Sequence, residues 1–131
     1  MNQHGAKAYH NTSVQTASKE KILLMLYEGC IRNLKKCKIA MENKQWAEKG
    51  QYLGKAQDII NELSNSLNFE VGGELSKQLE GLYIYIFSQT TQANIDNDPN
   101  KIAHCIKLLE TLYEGWKEAV EKLKGPEGSK K

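Results

Sequence analysis

Apolar residues recur every three or four positions in four successive segments of the chain, which is the period of an amphipathic helix. The segments cover residues 18–43, 45–67, 74–97 and 98–124. Ser18 is a favourable N-cap, and the last segment opens with an Asp-Pro pair that suits the start of a helix. Helices of about 20 to 25 residues with short connections predict an all-α, antiparallel up-down four-helix bundle. No segment alternates with period two, so no sheet is predicted.

The apolar stripe of each segment predicts which of its residues face the bundle core. The first stripe is Leu23, Leu26, Tyr27, Cys30, Leu34, Cys37 and Met41. The second is Trp46, Lys49, Leu53, Ala56, Ile60, Leu63 and Leu67. The third is Leu75, Leu79, Leu82, Ile86, Thr90 and Ala93. The fourth is Ile102, Cys105, Ile106, Leu109, Leu112, Tyr113, Trp116, Val120 and Leu123.

The ends of the chain differ in composition from its middle. Residues 1–17 are polar, with Tyr9 as their only aromatic residue, and they predict an N-terminal arm that packs on the bundle. The last residues, 125–131, read GPEGSKK and predict a flexible tail. The predicted organisation is therefore an arm over 1–17, a bundle over 18–124 and a tail over 125–131.

The third segment is apolar on more than one side. Its residues Ile84, Phe87, Thr91 and Ile95 form a second stripe, whose centre lies about 140° from the main one at 100° per residue. No neighbouring helix of a four-helix bundle would cover that stripe. Either uneven packing or the arm buries it permanently, or it is a surface for a partner, as contiguous exposed apolar area usually is.

Charge and hydropathy exclude two classes of protein. The 18 basic and 16 acidic residues give a net charge of +2, too little for a protein that coats nucleic acid. No apolar run approaches the roughly 20 residues that a membrane helix needs, and the first residues contain no apolar core of a secretory signal. Three well-spaced cysteines, Cys30, Cys37 and Cys105, suit a reducing compartment. We therefore expect a cytoplasmic protein that neither binds nucleic acid nor inserts into membranes.

The sequence contains no recognisable catalytic or metal-binding motif. Cysteine spacing of the kind found in zinc sites is absent. One alternative stays open: His104 and Lys107 form a His-x-x-Lys pattern, which resembles the phosphoacceptor of histidine phosphotransfer domains. In those domains a glycine usually follows the lysine, whereas here Leu108 does. An ordinary surface histidine is the favoured interpretation, so we expect no enzyme, no catalytic residues, no metal and no cofactor.

An ordered set of short motifs resembles the FliS family, the flagellin-specific export chaperones of bacteria. The motifs span most of the chain and are Lys7-Ala8-Tyr9, Val14 to Ser18, Leu24 to Gly29, Lys55 to Ile60, Glu62-Leu63, Gly72 to Glu74, Leu82-Tyr83-x-Tyr85, Ala93-Asn94 and Trp116-Lys117. The resemblance implies a helical bundle that binds the C-terminal segment of flagellin in the cytoplasm. Such a chaperone blocks premature polymerisation and delivers its cargo to a protein of the flagellar export gate.

The resemblance and the second stripe together predict the binding site. We expect Ile84, Phe87, Thr91 and Ile95 to line a groove for flagellin, with Tyr85 and Asn94 at its edges. From the N-terminal motif we expect Tyr9 to pack on the bundle without cargo and to move when cargo binds. A weak homodimer of the cargo-free protein is compatible with the same exposed face.

Overall fold

The computed structural model describes residues 18–130, with side chains through Leu123, and these residues form four helices. They are α1 (Lys19–Glu42), α2 (Trp46–Asn65), α3 (Phe69–Asp96) and α4 (Pro99–Lys130). The described residues contain no strand, which confirms the predicted all-α fold. The predicted N-terminal arm and its Tyr9 lie outside the described residues, so the packing of the arm stays a prediction.

The four helices pack as a closed ring in which α1 contacts α2 and α4, and α3 contacts the same two helices. Successive helices run antiparallel, because the start of one lies beside the end of the next. Lys49, in the first turn of α2, donates through Nζ to the carbonyl oxygen of Asn94 (3.2 Å) and to Oδ1 of Asn97 (2.6 Å), at the end of α3. The short connections and these contacts give the up-down order that the sequence predicts.

Polar side chains fix the starts of three helices. The Ser18 hydroxyl accepts a hydrogen bond from the backbone N–H of Lys21 (3.1 Å) at the start of α1. The Asn68 side chain accepts from two backbone N–H groups in the first turn of α3. Asp98 accepts from the N–H of Asn100 (2.9 Å) at the start of α4. Each cap satisfies donors that the first turn of a helix leaves without an internal partner.

The core contains most of the predicted stripe of each of the four segments. Its fully buried members include Tyr27, Leu34, Ile60, Leu63, Ile102 and Leu109. Three predicted core residues are wrong, since Trp46, Leu75 and Leu123 are 48 %, 54 % and 73 % exposed. Trp46 and Leu123 lie toward the ends of their helices, whereas Leu75 is exposed because its neighbour Ser76 takes the buried position in that turn.

The boundaries of α3 and α4 differ from those that the pattern predicts. The first turn of α3 begins at Phe69, before the glycine pair, and joins the rest of the helix across a kink at Gly73 (φ 51°, ψ −121°). The backbone of α4 is helical through Lys130, past the expected end at 124. Apolar periodicity marks the part of a helix that packs, not the end of its backbone. The flexibility expected of residues 125–131 stays a prediction.

Candidate functional site

The outer face of α3 exposes large apolar side chains. Ile84 and Ile95 are 62 % and 68 % exposed, and Thr91 between them is also exposed. These three residues share one face because they follow each other at spacings near one and two helical turns. The second apolar stripe of α3 therefore lies at the surface of the described part of the chain.

A groove of about 310 Å³ lies between α2 and α3 beside Ile84. Its walls come from both helices and are formed by Ile60, Asn61, Ser64, Tyr83, Ile84, Phe87 and Ser88. Phe87 is half-buried and packs against the hydrophobic core. Phe87 is thus shared between the core and the groove, whereas Ile84 is 62 % exposed, and the binding of a partner at this stripe stays a prediction.

Gln57 of α2 contacts α3 next to this groove. Its Nε2 atom lies 3.0 Å from Oγ1 of Thr90 and 2.9 Å from Oγ1 of Thr91. The same amide lies 3.4 Å from the carbonyl oxygen of Phe87. Sequence reasoning did not single out Gln57, because a glutamine beside a core stripe carries no signal of its own. Its three contacts set how closely α2 and α3 approach and how wide the groove is.

Asn94 lies at one end of the exposed face and is half-buried. Its backbone carbonyl accepts from Lys49, while its side-chain Oδ1 is buried without a hydrogen-bond partner among the described residues. The predicted position of Asn94 beside Ile95 follows from their adjacency in the chain. A buried oxygen that lacks a donor costs free energy, so the described residues leave this side chain poorly satisfied.

Tyr85 points away from the groove that the sequence assigned to it. It is 42 % exposed, and its hydroxyl lies 3.3 Å from Nε2 of His104 on α4. The two rings meet edge to face with centroids 6.1 Å apart. Tyr85 and Phe87 differ by two positions, or about 200° around the helix. The structure therefore groups Ile84, Phe87 and Thr91 on the α2 side of the helix and Tyr85 on the α4 side.

Tyr83 belongs both to the wall of the groove and to the hydrophobic core. Its hydroxyl lies 2.6 Å from the hydroxyl of Tyr27 on α1, and both side chains are buried. Burial raises the pKa of both phenols above the ordinary value, because the charged form loses its hydration. The pair stays neutral and hydrogen-bonded across the centre of the bundle, on the inner side of Tyr83.

The buried thiols are poor nucleophiles and poor metal ligands. Burial raises the pKa of Cys30 to about 12 and the pKa values of Cys37 and Cys105 to about 11. The thiolate, which is the reactive form, is therefore scarce at neutral pH. Within residues 18–123 no group of His, Cys, Asp and Glu side chains is arranged to hold a metal ion. The described helices also include none that is long and apolar enough to cross a membrane.

The family model described as flagellar protein FliS matches residues 1–123. The chain belongs to the FliS family. It is 36 % identical over 114 residues to the flagellar secretion chaperone FliS of Bacillus subtilis (strain 168), covering 87 % of this chain and 84 % of that protein. It is 39 % identical over 114 residues to the flagellar secretion chaperone FliS of Vibrio cholerae serotype O1, covering 84 % of each chain.

A solved structure has the same fold. A crystal structure of a flagellar chaperone from bacteria superposes with a TM-score of 0.75 at 23 % sequence identity, covering 93 % of this chain and 99 % of that one. The motifs that resembled FliS in the sequence thus identified the family correctly. The phosphotransfer alternative finds no support, and exposed His104 is instead a hydrogen-bond neighbour of Tyr85 on the bundle surface.

Proposed function

We propose that this protein is a cytoplasmic export chaperone that binds the disordered C-terminal segment of flagellin. It prevents premature polymerisation of flagellin and presents it to a protein of the flagellar export gate. Relatives named flagellar secretion chaperones, 31–39 % identical to the chain, support this class of function. The proposed chaperone acts by binding alone and requires neither catalysis nor a cofactor.

The observation that carries the proposal is the exposed apolar face of α3 beside the α2–α3 groove. Ile84 and Ile95 are more than half exposed in a helix whose other side already contributes to the core. An amphipathic cargo segment laid along this face would remove both side chains from water. Full burial of a side chain such as isoleucine contributes about 1.5–3 kcal/mol.

The binding energy must offset the ordering of the cargo. A segment that folds on binding loses conformational entropy, and only a large buried apolar area makes the net affinity favourable. The groove by itself is short, so the proposed contact includes Ile84 and Phe87 at the groove and continues along Thr91 to Ile95. Asn94, which is half-buried, borders the proposed contact at that end.

Tyr9 and the arm belong to the same proposal, although they lie outside the described residues. An arm that covers the α3 face without cargo would protect its apolar residues and would leave when flagellin binds. Failing that cover, two copies of the free protein would bury the face between them as a weak homodimer. Tyr9→Ala should alter the affinity for flagellin with little change in the melting temperature.

Co-purification with flagellin tests the proposal. The chain should retain full-length flagellin on a column and lose it when the flagellin C-terminal segment is deleted. Retention of the truncated flagellin at the same level would contradict the proposal. The isolated C-terminal segment should gain helical circular dichroism signal on mixing, because cargo folding accompanies binding.

A further inference from the structure

A second and larger apolar groove lies between α1 and α4. It encloses about 710 Å³, against about 310 Å³ for the α2–α3 groove. Ile31 forms its buried floor, Ile39 is 56 % exposed at one end, and the ring of Tyr113 closes the α4 side. From Glu28 to Ile39 the groove spans about 16 Å, or three turns of a helix. Nothing in the proposed recognition of flagellin uses this surface.

The two walls of this groove carry opposite charges. The wall on α1 is basic through Arg32 and Lys35, whereas Lys36 also lines the groove but holds its Nζ atom 5.6 Å from the centroid of the Tyr52 ring on α2. The wall on α4 is acidic and consists of Glu110 and Glu114. Glu28, at one end of the α1 wall, accepts a hydrogen bond from the Tyr113 hydroxyl. Apart from that end, the groove separates positive from negative charge across an apolar floor.

The ion pair that crosses the groove can be exchanged at small cost. The Lys35 ammonium lies 3.1 Å from the Glu110 carboxylate, and these two side chains are 55 % and 47 % exposed. Exposed ion pairs contribute only about 0–1 kcal/mol, because water solvates both partners in the open state. A partner that offers its own charges to each wall can therefore replace this pair without a large loss.

The charges also indicate which occupants fit. Residues 1–17 contain one lysine and no acidic residue, so the arm cannot complement the basic wall. Residues 81–95 of α3 contain no charged residue at all, so the exposed face of a second copy matches neither wall. The groove instead matches a helix with an apolar stripe, acidic residues along one flank and basic residues along the other.

We propose that the α1–α4 groove docks such an amphipathic helix from a second protein partner, separate from the flagellin cargo. The acidic flank of the helix lies on Arg32 and Lys35, and its basic flank lies on Glu110 and Glu114. The two walls also fix the direction of the bound helix, since turning it end for end would bring like charges together. The chaperone would thus hold cargo on α3 and a second partner on the opposite side.

Two synthetic peptides of about four helical turns provide the probe. Both have the same composition and the same leucine stripe, but one has glutamates on one flank and lysines on the other, whereas the second has both charges mixed on each flank. At low salt the segregated peptide should bind at least tenfold tighter by fluorescence anisotropy. Arg32→Glu should remove most of that preference. Equal binding of the two peptides, or binding of neither, would overturn the proposal.

Two matched substitutions separate this groove from the cargo site. Ile39→Asp and Ile84→Asp each place a charge at an isoleucine that is more than half exposed. Ile39→Asp should lower the affinity for the segregated peptide at least tenfold and leave the affinity for the flagellin segment unchanged. Ile84→Asp should lower the affinity for the flagellin segment at least tenfold and leave the affinity for the peptide unchanged. Displacement of the peptide by the flagellin segment would show that the α1–α4 groove belongs to the cargo site and would overturn the second-partner proposal. If both variants bind the flagellin segment as tightly as the unmodified protein, that result would count against the proposed function and not against the second-partner proposal.

Discussion

The hydroxyls of Tyr27 and Tyr83 form a 2.6 Å hydrogen bond between diagonally opposed helices, in a core that is otherwise largely apolar. Each hydroxyl supplies the other with a partner that water cannot reach. A buried polar group that loses its partner costs more than the hydrogen bond contributes, because its hydration is not restored. The pair therefore fixes the position of α3 against α1. Because Tyr83 also lines the α2–α3 groove, the pair fixes part of the wall of that groove.

A double-mutant cycle tests this role. Tyr27→Phe or Tyr83→Phe alone should lower the free energy of unfolding by about 1–3 kcal/mol, since each strands the remaining hydroxyl. The double variant should lose clearly less than the sum of the two, because no buried hydroxyl is left unpaired. Urea unfolding of the four proteins gives the coupling. Additive losses would show that the two hydroxyls do not depend on each other.

The buried thiols make stability depend on alkaline pH. An unfolded thiol has a pKa near 9.0, while burial raises the pKa of Cys30 to about 12 and that of Cys105 to about 11. Above pH 9 the unfolded chain releases protons that the folded chain keeps, so the unfolded state is favoured. The stability is complete below pH 9 and falls as pH rises toward 11, by at most about 1.4 kcal/mol per pH unit for each thiol.

Thermal melts between pH 7 and pH 11 measure this dependence. The melting temperature should be flat up to about pH 9 and should then fall. Cys105→Ala should be less stable at pH 7 but should fall less steeply, because one titrating thiol is gone. Lysines and tyrosines titrate in both proteins, so only the difference between the two curves reports on Cys105. Parallel curves for the two proteins would contradict the assignment.

At the scale of the element, α3 is the helix that the sequence describes least well. Its apolar residues surround the whole helix, and although Leu79, Ile86, Thr90 and Ala93 of the predicted stripe are buried, other positions of the helix are not where the pattern places them. Leu75 was expected in the core and is exposed, whereas Ser76 is buried and donates to the carbonyl oxygen of Asn68 (2.9 Å). Tyr83, expected outside the main stripe, is 1 % exposed. The neighbouring helices and a local hydrogen bond decide the phase, and neither can be seen in one segment alone.

The spacing of the main stripe predicted the core residues of the other helices. Tyr27, Cys30, Leu34 and Cys37 of α1 are all buried as the spacing required. The exposed face of α3 was also foreseen, since Ile84 and Ile95 had no room in a four-helix core. The details of the site could not be predicted. The contacts of Gln57 with α3 and of Tyr85 with His104 depend on how closely helices that are distant in sequence approach each other.

The kink of α3 gives a prediction at this scale. Gly73 has a φ of 51°, a conformation that residues with a side chain rarely adopt. Gly73→Ala should therefore destabilise the protein by about 1–3 kcal/mol, measured by urea unfolding. Gly81→Ala is the matched control, because Gly81 is helical with open space around the position of a Cβ atom. That control should stabilise by about 0.5–1 kcal/mol, and equal effects of both substitutions would argue against the kink.

Lys49 connects two helix ends and gives a second prediction. It is 9 % exposed and donates to Asn94 and Asn97 at the end of α3. Lys49→Met keeps the apolar stem but removes these charge-assisted bonds, which should cost about 1.5–3 kcal/mol in the free energy of unfolding. Lys55→Met, at an exposed position of the same helix, should change it by less than about 0.5 kcal/mol. Similar losses in both variants would show that the Lys49 contacts contribute nothing specific.

At the scale of the whole molecule, the bundle presents two different apolar surfaces on a chain of nearly balanced charge. The face of α3 is apolar and uncharged from 81 to 95, which suits a cargo segment that adapts its conformation. The α1–α4 groove is bordered by opposite charges, which suits a preformed helix of defined flanks. The proposed function accounts for the exposure of the α3 face, because an export chaperone would use its own apolar surface to cover the apolar residues of its cargo.

The central claim is that the exposed face of α3 binds flagellin, and the affinity of the Ile84→Asp variant for the flagellin C-terminal segment tests it most directly. Ile84 is 62 % exposed, so a charge there should leave the melting temperature nearly unchanged. The affinity should fall at least tenfold, or about 1.4 kcal/mol, relative to both the unmodified protein and the Ile39→Asp control. A variant that stays folded and binds the flagellin segment as tightly as the unmodified protein would contradict the claim.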